Sequence, residues 1–443
     1  MWKILFIICF LFFAPTTTLT AQTRWDLQKC MDVAIERNRN LTISKLDIDG
    51  KSIDINIARN ERLPGINAFS NISSNFGQSQ DIFGNNARND NFNSNIGVSS
   101  SLSLVTFGRI KNNVLKAEST MKASKEDLEL EKRNTRIEVV QAYLQVLLQR
   151  EISRLMDSNT YFSELQMKKI QKSTDAGAAP LSVLYEAKAS HNRDIQKQAA
   201  AEQELEKSIL SLKQTMYISD TAKIVVDNEI STIERISMNY LASKEYLADL
   251  WPEHPLTKKY NLLNESLLAD GKIIRSTRYP SIDLSVNLGS FYFNNLTSNL
   301  GKMAFMQQMR GNFSQQITLS LSIPIYNKNV VKNNIQKNNI QLEQNAEQLA
   351  LSKQKFYQQI EKYLVDCRNY EKQLTIANEA LASTQLAFDI SEKSFEAGKI
   401  SIYDLNNSRT NLLTAESDVV KVRYNLIFAK LIVLIMTKGD IRF

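Results

Sequence analysis

Ser281-Ile282-Asp283-Leu284-Ser285-Val286-Asn287-Leu288 alternates polar and apolar residues without a fault, directly after Tyr279-Pro280. Period two is the signature of a β-strand with two unlike faces. Three more stretches read the same way. Ile66, Ala68, Ile72 and Phe76 oppose Asn67, Asn71, Ser73 and Asn75. Ile96, Val98, Leu102 and Leu104 oppose Asn95, Gly97, Ser99, Ser101 and Ser103, and Ile317, Leu319, Leu321, Ile323 and Ile325 oppose Gln316, Thr318, Ser320 and Ser322. The predicted strands cover about 65–76, 94–106, 281–293 and 313–326. Apolar on one face and Ser/Asn on the other suits a membrane barrel, with lipid outside and water inside. Each segment approaches the about 9–11 residues a tilted strand needs to cross a bilayer. An ordinary half-exposed sheet would look similar strand by strand. Four strands cannot close a barrel, however, and open edges in lipid leave unpaired backbone groups at several kcal/mol each. Strands in a membrane therefore require several copies. Two would fill the interior with side chains; three would give twelve strands and an aqueous lumen.

Outward from the strands, the chain repeats itself once. Arg59-Asn60-Glu61-Arg62-Leu63-Pro64-Gly65-Ile66 returns as Arg275-Ser276-Thr277-Arg278-Tyr279-Pro280-Ser281-Ile282. Ala176-Gly177 with Pro180, Leu181 and Leu184 returns as Ala397-Gly398 with Ser401, Ile402 and Leu405. The spacing of about 220 residues is far beyond the solenoid range of about 20–50 and indicates one duplicated half. Each half runs helix, two strands, a very long helix, a glycine turn and a second long helix. Ile335, Leu342, Leu349, Phe356, Tyr363 and Tyr370 recur in sevens, as do Leu405, Leu412, Val419, Leu426 and Val433. Strict sevens mean helices that wrap one another. The stretch Arg109 to Gly177 would reach roughly 100 Å at 1.5 Å per residue, which suits a tube or rod. The predicted hairpins cover about 108–216 and 327–437, with tips at Gly177 and Gly398.

Composition agrees. Of 443 residues 43% are hydrophobic and 23% charged, while glycine (13) and proline (7) are scarce, which favours long helices over collagen, a propeller or a β-sandwich. The net charge of +7 is spread among acids, with no basic stripe, so no nucleic-acid partner is expected. Met1 to Ala21 reads as a secretory signal, with Lys3 before the apolar run Ile4 to Ala14. Leu426 to Met436, interrupted by Lys430, is about half the length of a spanning helix. Cys30 and Cys367 read as two partly buried thiols.

No site of chemistry is expected: no catalytic residue, no metal and no cofactor. His191 and His254 are not at ligand spacing, and no phosphate-binding glycine loop occurs. Met303, Met306 and Met309 fall in the loop between the third and fourth strands, an odd place for metal selection.

Trp25-Asp26-Leu27-Gln28-Lys29-Cys30 with Ala34 and Asn38, the turns Val105-Thr106-Phe107-Gly108-Arg109 and Ile323-Pro324-Ile325-Tyr326-Asn327, and the two Ala-Gly tips complete an ordered set. In that order they resemble the TolC-like outer-membrane efflux proteins, trimeric exit ducts of Gram-negative cells. The resemblance implies a mainly α chain with a transmembrane β-barrel part. Its homotrimer would share a twelve-stranded barrel on a long periplasmic α-helical barrel. It implies an outer-membrane exit duct for tripartite efflux or type I secretion, lying in outer-membrane lipid. Its partners would be a periplasmic adaptor and an inner-membrane pump of RND, ABC or MFS type. The domain map is then a signal at 1–21, a first repeat at 22–217, a linker at 218–240 and a second repeat at 241–443. Adaptor docking would fall on Ala176, Gly177, Leu181, Ala397, Gly398 and Ile402. Asp404 and Asn407 occupy the positions of the acidic rings that narrow the tunnel, and Glu186 would join them from the first half, where Val183 matches Asp404. The Tyr and Arg that latch the closed aperture fall on Phe395 and Ile400, so that latch is absent or different. The competing reading is a periplasmic coiled-coil adaptor with a small soluble β domain.

Overall fold

The computed structural model describes residues 24–80, 84–221, 224–227, 244–297 and 303–441. The signal expected at 1–21 and most of the linker expected at 218–240 lie outside them. In chain order the elements begin with β1 (Arg24–Trp25), α1 (Leu27–Arg37), α2 (Arg39–Asn60), β2 (Gly65–Asn75), β3 (Gln78–Gln80), β4 (Asn86–Arg88) and β5 (Asn91–Val105). Then follow α3 (Arg109–Asp175), α4 (Leu181–Thr215), β6 (Val225–Val226), α5 (Lys244–Leu250) and α6 (Pro255–Ser276). The last are β7 (Ser281–Asn295), α7 (Phe305–Gly311), β8 (Ser314–Ser322), α8 (Val330–Glu396) and α9 (Ile402–Lys438). The protein is mainly helical with one four-stranded sheet.

Some helix starts carry side-chain caps. Asp26 accepts a 2.7 Å bond from the Lys29 N–H at the start of α1. Asn38 separates α1 from α2: its Oδ1 accepts from the Asn40 N–H at 2.8 Å, and its Nδ2 donates to Thr135 Oγ1 at 3.1 Å. Proline is absent from the interiors of α3 and α8, and each runs 67 residues unbroken.

The sheet is antiparallel in the order β2-β5-β7-β8, which leaves β2 and β8 as edges. In its register Ile66, Ser100, Val286 and Ile317 form one row, apolar except for Ser100, and Asn67, Ser99, Asn287 and Gln316 form the next, polar throughout. The paired length of β8 ends where Ser314 meets Gly289. Beyond that point α7 continues the edge with side chains. Gln308 Oε1 accepts from the Phe293 N–H at 3.0 Å, and its Nε2 donates back to Phe293 O at 3.0 Å. Asn312 Nδ2 donates to Phe291 O at 2.7 Å. A short helix thus occupies part of what the sequence presents as a loop, and Met306 and Met309 lie on it.

The chain gathers into two compact units, and each draws on both halves of the repeat. One comprises Met1–Thr42, Glu129–Pro252 and Gln354–Phe443; the other comprises Ile43–Leu128 and Glu253–Lys353 and holds the sheet. The first unit has a core of Cys30, Met31 and Ala34 from α1, Val139 to Leu147 from α3, and Leu426 to Ile435 from α9. The last stretch of α9 is buried on nearly every side and apolar except for Lys430, which is 4% exposed and pairs with Glu371 at 3.1 Å.

Candidate functional site

The two hairpin tips are built alike. At the first, Gly177 takes φ +74°, its N–H donates to Thr174 O at 2.9 Å, and the Ala178 N–H donates to Ser173 O at 2.8 Å. At the second, Gly398 takes φ +72°, its N–H donates to Phe395 O at 2.9 Å, and the Lys399 N–H donates to Ser394 O at 2.8 Å. These paired bonds are the Schellman closure, in which the left-handed residue is glycine because a Cβ would be strained there. Ala176, Gly177, Leu181, Ala397 and Gly398 are exposed.

Ile402 is not. It is 4% exposed and packs with Ile170, Leu184, Ala187, Phe388, Leu405 and Leu412 beneath the tips. Leu181, its counterpart in the repeat, is 63% exposed. Of the six residues expected for docking, Ile402 thus differs from the other five in being buried within the chain.

Asp404, Asn407 and Glu186 are all exposed. Asp404 also has local work. Its Oδ2 accepts from the Ser401 N–H at 3.2 Å and from Ser401 Oγ–H at 2.7 Å, while its own N–H donates to Ser401 Oγ at 3.2 Å. This is a capping box that starts α9. Phe395, Ile400 and Val183 pack against the apolar cluster of the tips.

Arg409 was not singled out by sequence, yet it ties the hairpins together. Its Nε donates to Asn159 Oδ1 at 3.0 Å, and its guanidinium lies 4.2 Å from the Phe162 ring centroid and 5.4 Å from that of Phe388. Burial lowers its pKa, opposed by Glu416, Asp194 and Glu392. The only hint in sequence is that Phe162 and Phe388 stand on heptad seams. Nearer the tips, Lys169 bridges to Glu396 at 2.8 Å.

The histidines serve structure. His191 Nδ1 lies 3.1 Å from Ser163 Oγ on α3. His254, 4% exposed, caps α6 by accepting from the Leu256 N–H at 3.2 Å. Cys30 and Cys367 are buried free thiols, and burial raises them to about 12 and about 11 respectively. Among the described residues no group of His, Cys, Asp and Glu is arranged to hold a metal ion.

The sheet presents two unlike faces. On the apolar one Ile317, Leu319 and Leu321 are 75%, 65% and 62% exposed, and Ile66, Ile72, Ile96 and Val98 are exposed as well. Among the described residues nothing covers these side chains. Phe76, Phe92, Tyr292 and Phe313 stand at one end of the sheet; at the other, the Phe107 and Tyr279 rings stack with centroids 5.0 Å apart. The opposite face carries mostly Ser, Asn, Gln and Thr. No helix among the described residues is long and apolar enough to cross a membrane.

The sequence profile of the outer membrane efflux protein family matches residues 30–216 and 261–431. No curated protein matches the chain. Among solved structures the fold is similar to that of CusC, with TM-score 0.76 and 16% identity over 93% of this chain and 91% of that one. It is also similar to the open state of the MtrE outer membrane channel of Neisseria gonorrhoeae, with TM-score 0.73 and 17% identity over 94% of this chain and 89% of that one. The CmeC outer membrane channel of Campylobacter jejuni aligns with TM-score 0.71 and 16% identity over 93% and 85%. At these identities the likeness is one of fold.

Proposed function

The chain belongs to the outer membrane efflux protein family, and from that premise we propose that three copies form one passive exit duct through the outer membrane. The observation that carries this reading is the four-stranded sheet with a bare apolar face and two unpaired edges. In lipid the apolar face is satisfied, and the edges are satisfied only when β2 of one copy pairs with β8 of the next. Aromatic rings at both ends of the sheet suit the girdles that flank the apolar band of a membrane barrel. The matching tips and the repeated helical hairpins support an origin by duplication, with repeats at 22–217 and 241–443 and a signal at 1–21. The helices would continue the lumen into the periplasm. Export would be driven by an inner-membrane pump, joined through a periplasmic adaptor that docks on Ala176, Gly177, Leu181, Ala397 and Gly398. Asp404, Asn407 and Glu186 would line the narrow end, where three copies turn single side chains into rings.

Purified protein in detergent should have the mass of three chains and should conduct ions in planar bilayers. A single-chain mass without conductance overturns the duct. Ala176→Trp and Ala397→Trp keep both tip glycines; together they should abolish efflux while trimers still reach the outer membrane. Unimpaired efflux would remove the tips from adaptor docking.

A further inference from the structure

The polar face of the sheet carries three phenylalanines. The register places Phe69, Phe291 and Phe293 on the same side as Asn71, Asn95, Ser73 and Asn93. Phe291 and Phe293 are 52% and 44% exposed. Bare ring surface on a face of amides and hydroxyls is unfavourable in water at about 25 cal/mol per Å². Beside these rings the side chains vanish: Phe69, Gly97 and Gly289 lie in one row across three strands. Two opposed glycines weaken a sheet interior and mark close approach of something to the backbone.

At Gly97 that something is Phe69. Its Cζ and Cε1 lie 2.8 and 3.1 Å from the point where a Cβ on Gly97 would stand, so the ring occupies the space over that glycine. At Gly289 the three nearest atoms to such a Cβ are all backbone: Ile96 O at 2.9 Å, Gly97 Cα at 3.4 Å and Ile96 C at 3.7 Å. The result is a backbone floor of Gly97 and Gly289 whose Gly97 end is covered by the Phe69 ring, with Phe291 two residues farther along β7 from Gly289. The next rows supply only neutral amide and hydroxyl groups. Asp283, the one ionisable residue on this face of the four paired strands, lies three rows away toward the other end of β7.

We propose that Phe69, Phe291 and Phe293 with the Gly97–Gly289 floor form a contact site for planar aromatic solutes on the inner wall of the barrel. The proposal rests on the duct reading, which makes this face the wall of the lumen. A flat ring set on the glycine floor meets the exposed ring surfaces in offset or edge-on geometry, the arrangements aromatic pairs prefer. Neighbouring Asn and Ser side chains hydrogen-bond polar substituents. The site is shallow and uncharged, so solutes are held briefly and released, as passage through a duct requires. Three copies place three such sites around the lumen.

The test uses purified full-length protein in detergent, with acridine as the aromatic probe and its fluorescence anisotropy as the readout. The Phe69→Ser/Phe291→Ser/Phe293→Ser variant should bind acridine at least tenfold more weakly than wild type. Phe291→Leu, which keeps apolar bulk without the ring, should lose several-fold. Unchanged binding in both variants overturns the site. Ion conductance of the wild-type preparation in planar bilayers separates the two claims. A wild-type protein that forms no channel defeats the duct reading, while anisotropy still decides whether the aromatic site exists.

Discussion

Asp404 shows how one side chain can hold two roles, and how substitutions can part them. The capping box uses its carboxylate as an acceptor, whereas a pore ring uses its charge. Asp404→Asn keeps an acceptor and removes the charge, so fold stability should change little while block by trivalent cations weakens about tenfold. Asp404→Ala removes both, and loss of its reciprocal bonds to Ser401 should in addition cost about 0.5–1.5 kcal/mol in denaturant unfolding. Equal block in wild type and Asp404→Asn would leave Asp404 with the cap alone. The thiols make a second case. Burial holds Cys30 at about 12 and Cys367 at about 11, whereas an unfolded chain loses these protons near pH 8.5. Their contribution to stability is complete below about pH 8.5 and declines as pH rises toward 11–12, by about 1.4 kcal/mol per pH unit for each thiol. Denaturant midpoints measured from pH 8 to 10.5 should fall more steeply for wild type than for a Cys30→Ala/Cys367→Ala variant. Neither thiol should react with aromatic disulfide reagents in the native state. Sequence could not foretell such single-residue duties. Ile402 and Leu181 match in the repeat yet differ in burial, because burial depends on what lies opposite, and that is a tertiary fact.

Elements were the most legible level. Alternation marks strands through the pleat alone, so Ser281 to Leu288 announced β7, and the Ala-Gly pairs announced both hairpin turns. Position along the pleat also forecasts tolerance to charge. Leu319 and Thr318 are neighbours on β8 that face opposite sides of the sheet. Leu319→Arg puts a cation on the lipid side and should destabilise the membrane-inserted form by about 2–4 kcal/mol, read as loss of heat-resistant oligomer. Thr318→Arg should leave the oligomer intact and shift ion selectivity toward anions. If both are tolerated equally, neither side of the sheet meets lipid. Helix α7 escaped the sequence because seven residues give no usable period. Its role is also particular: Gln308 lends a side-chain amide to a strand whose partner has ended. Arg409 escaped for a related reason, since an arginine in a charged helix gives no sign that two aromatic rings await it.

At the level of the molecule, duplication was visible in the sequence but its folding consequence was not. The compact units take segments from both halves, since antiparallel hairpins return the chain to regions it has already built. The two unmatched borders of the sheet carry a genetic consequence. A polypeptide that borrows its neighbour's strand to finish the wall shares that neighbour's defects. Thr318→Pro, which spoils one border, should act as a dominant poison when produced alongside an equal dose of intact chains. With three places to fill at random, only about one assembly in eight would be free of the faulty chain. Efflux by such a mixed strain should drop far below half, whereas a protein working alone would lose no more than its share.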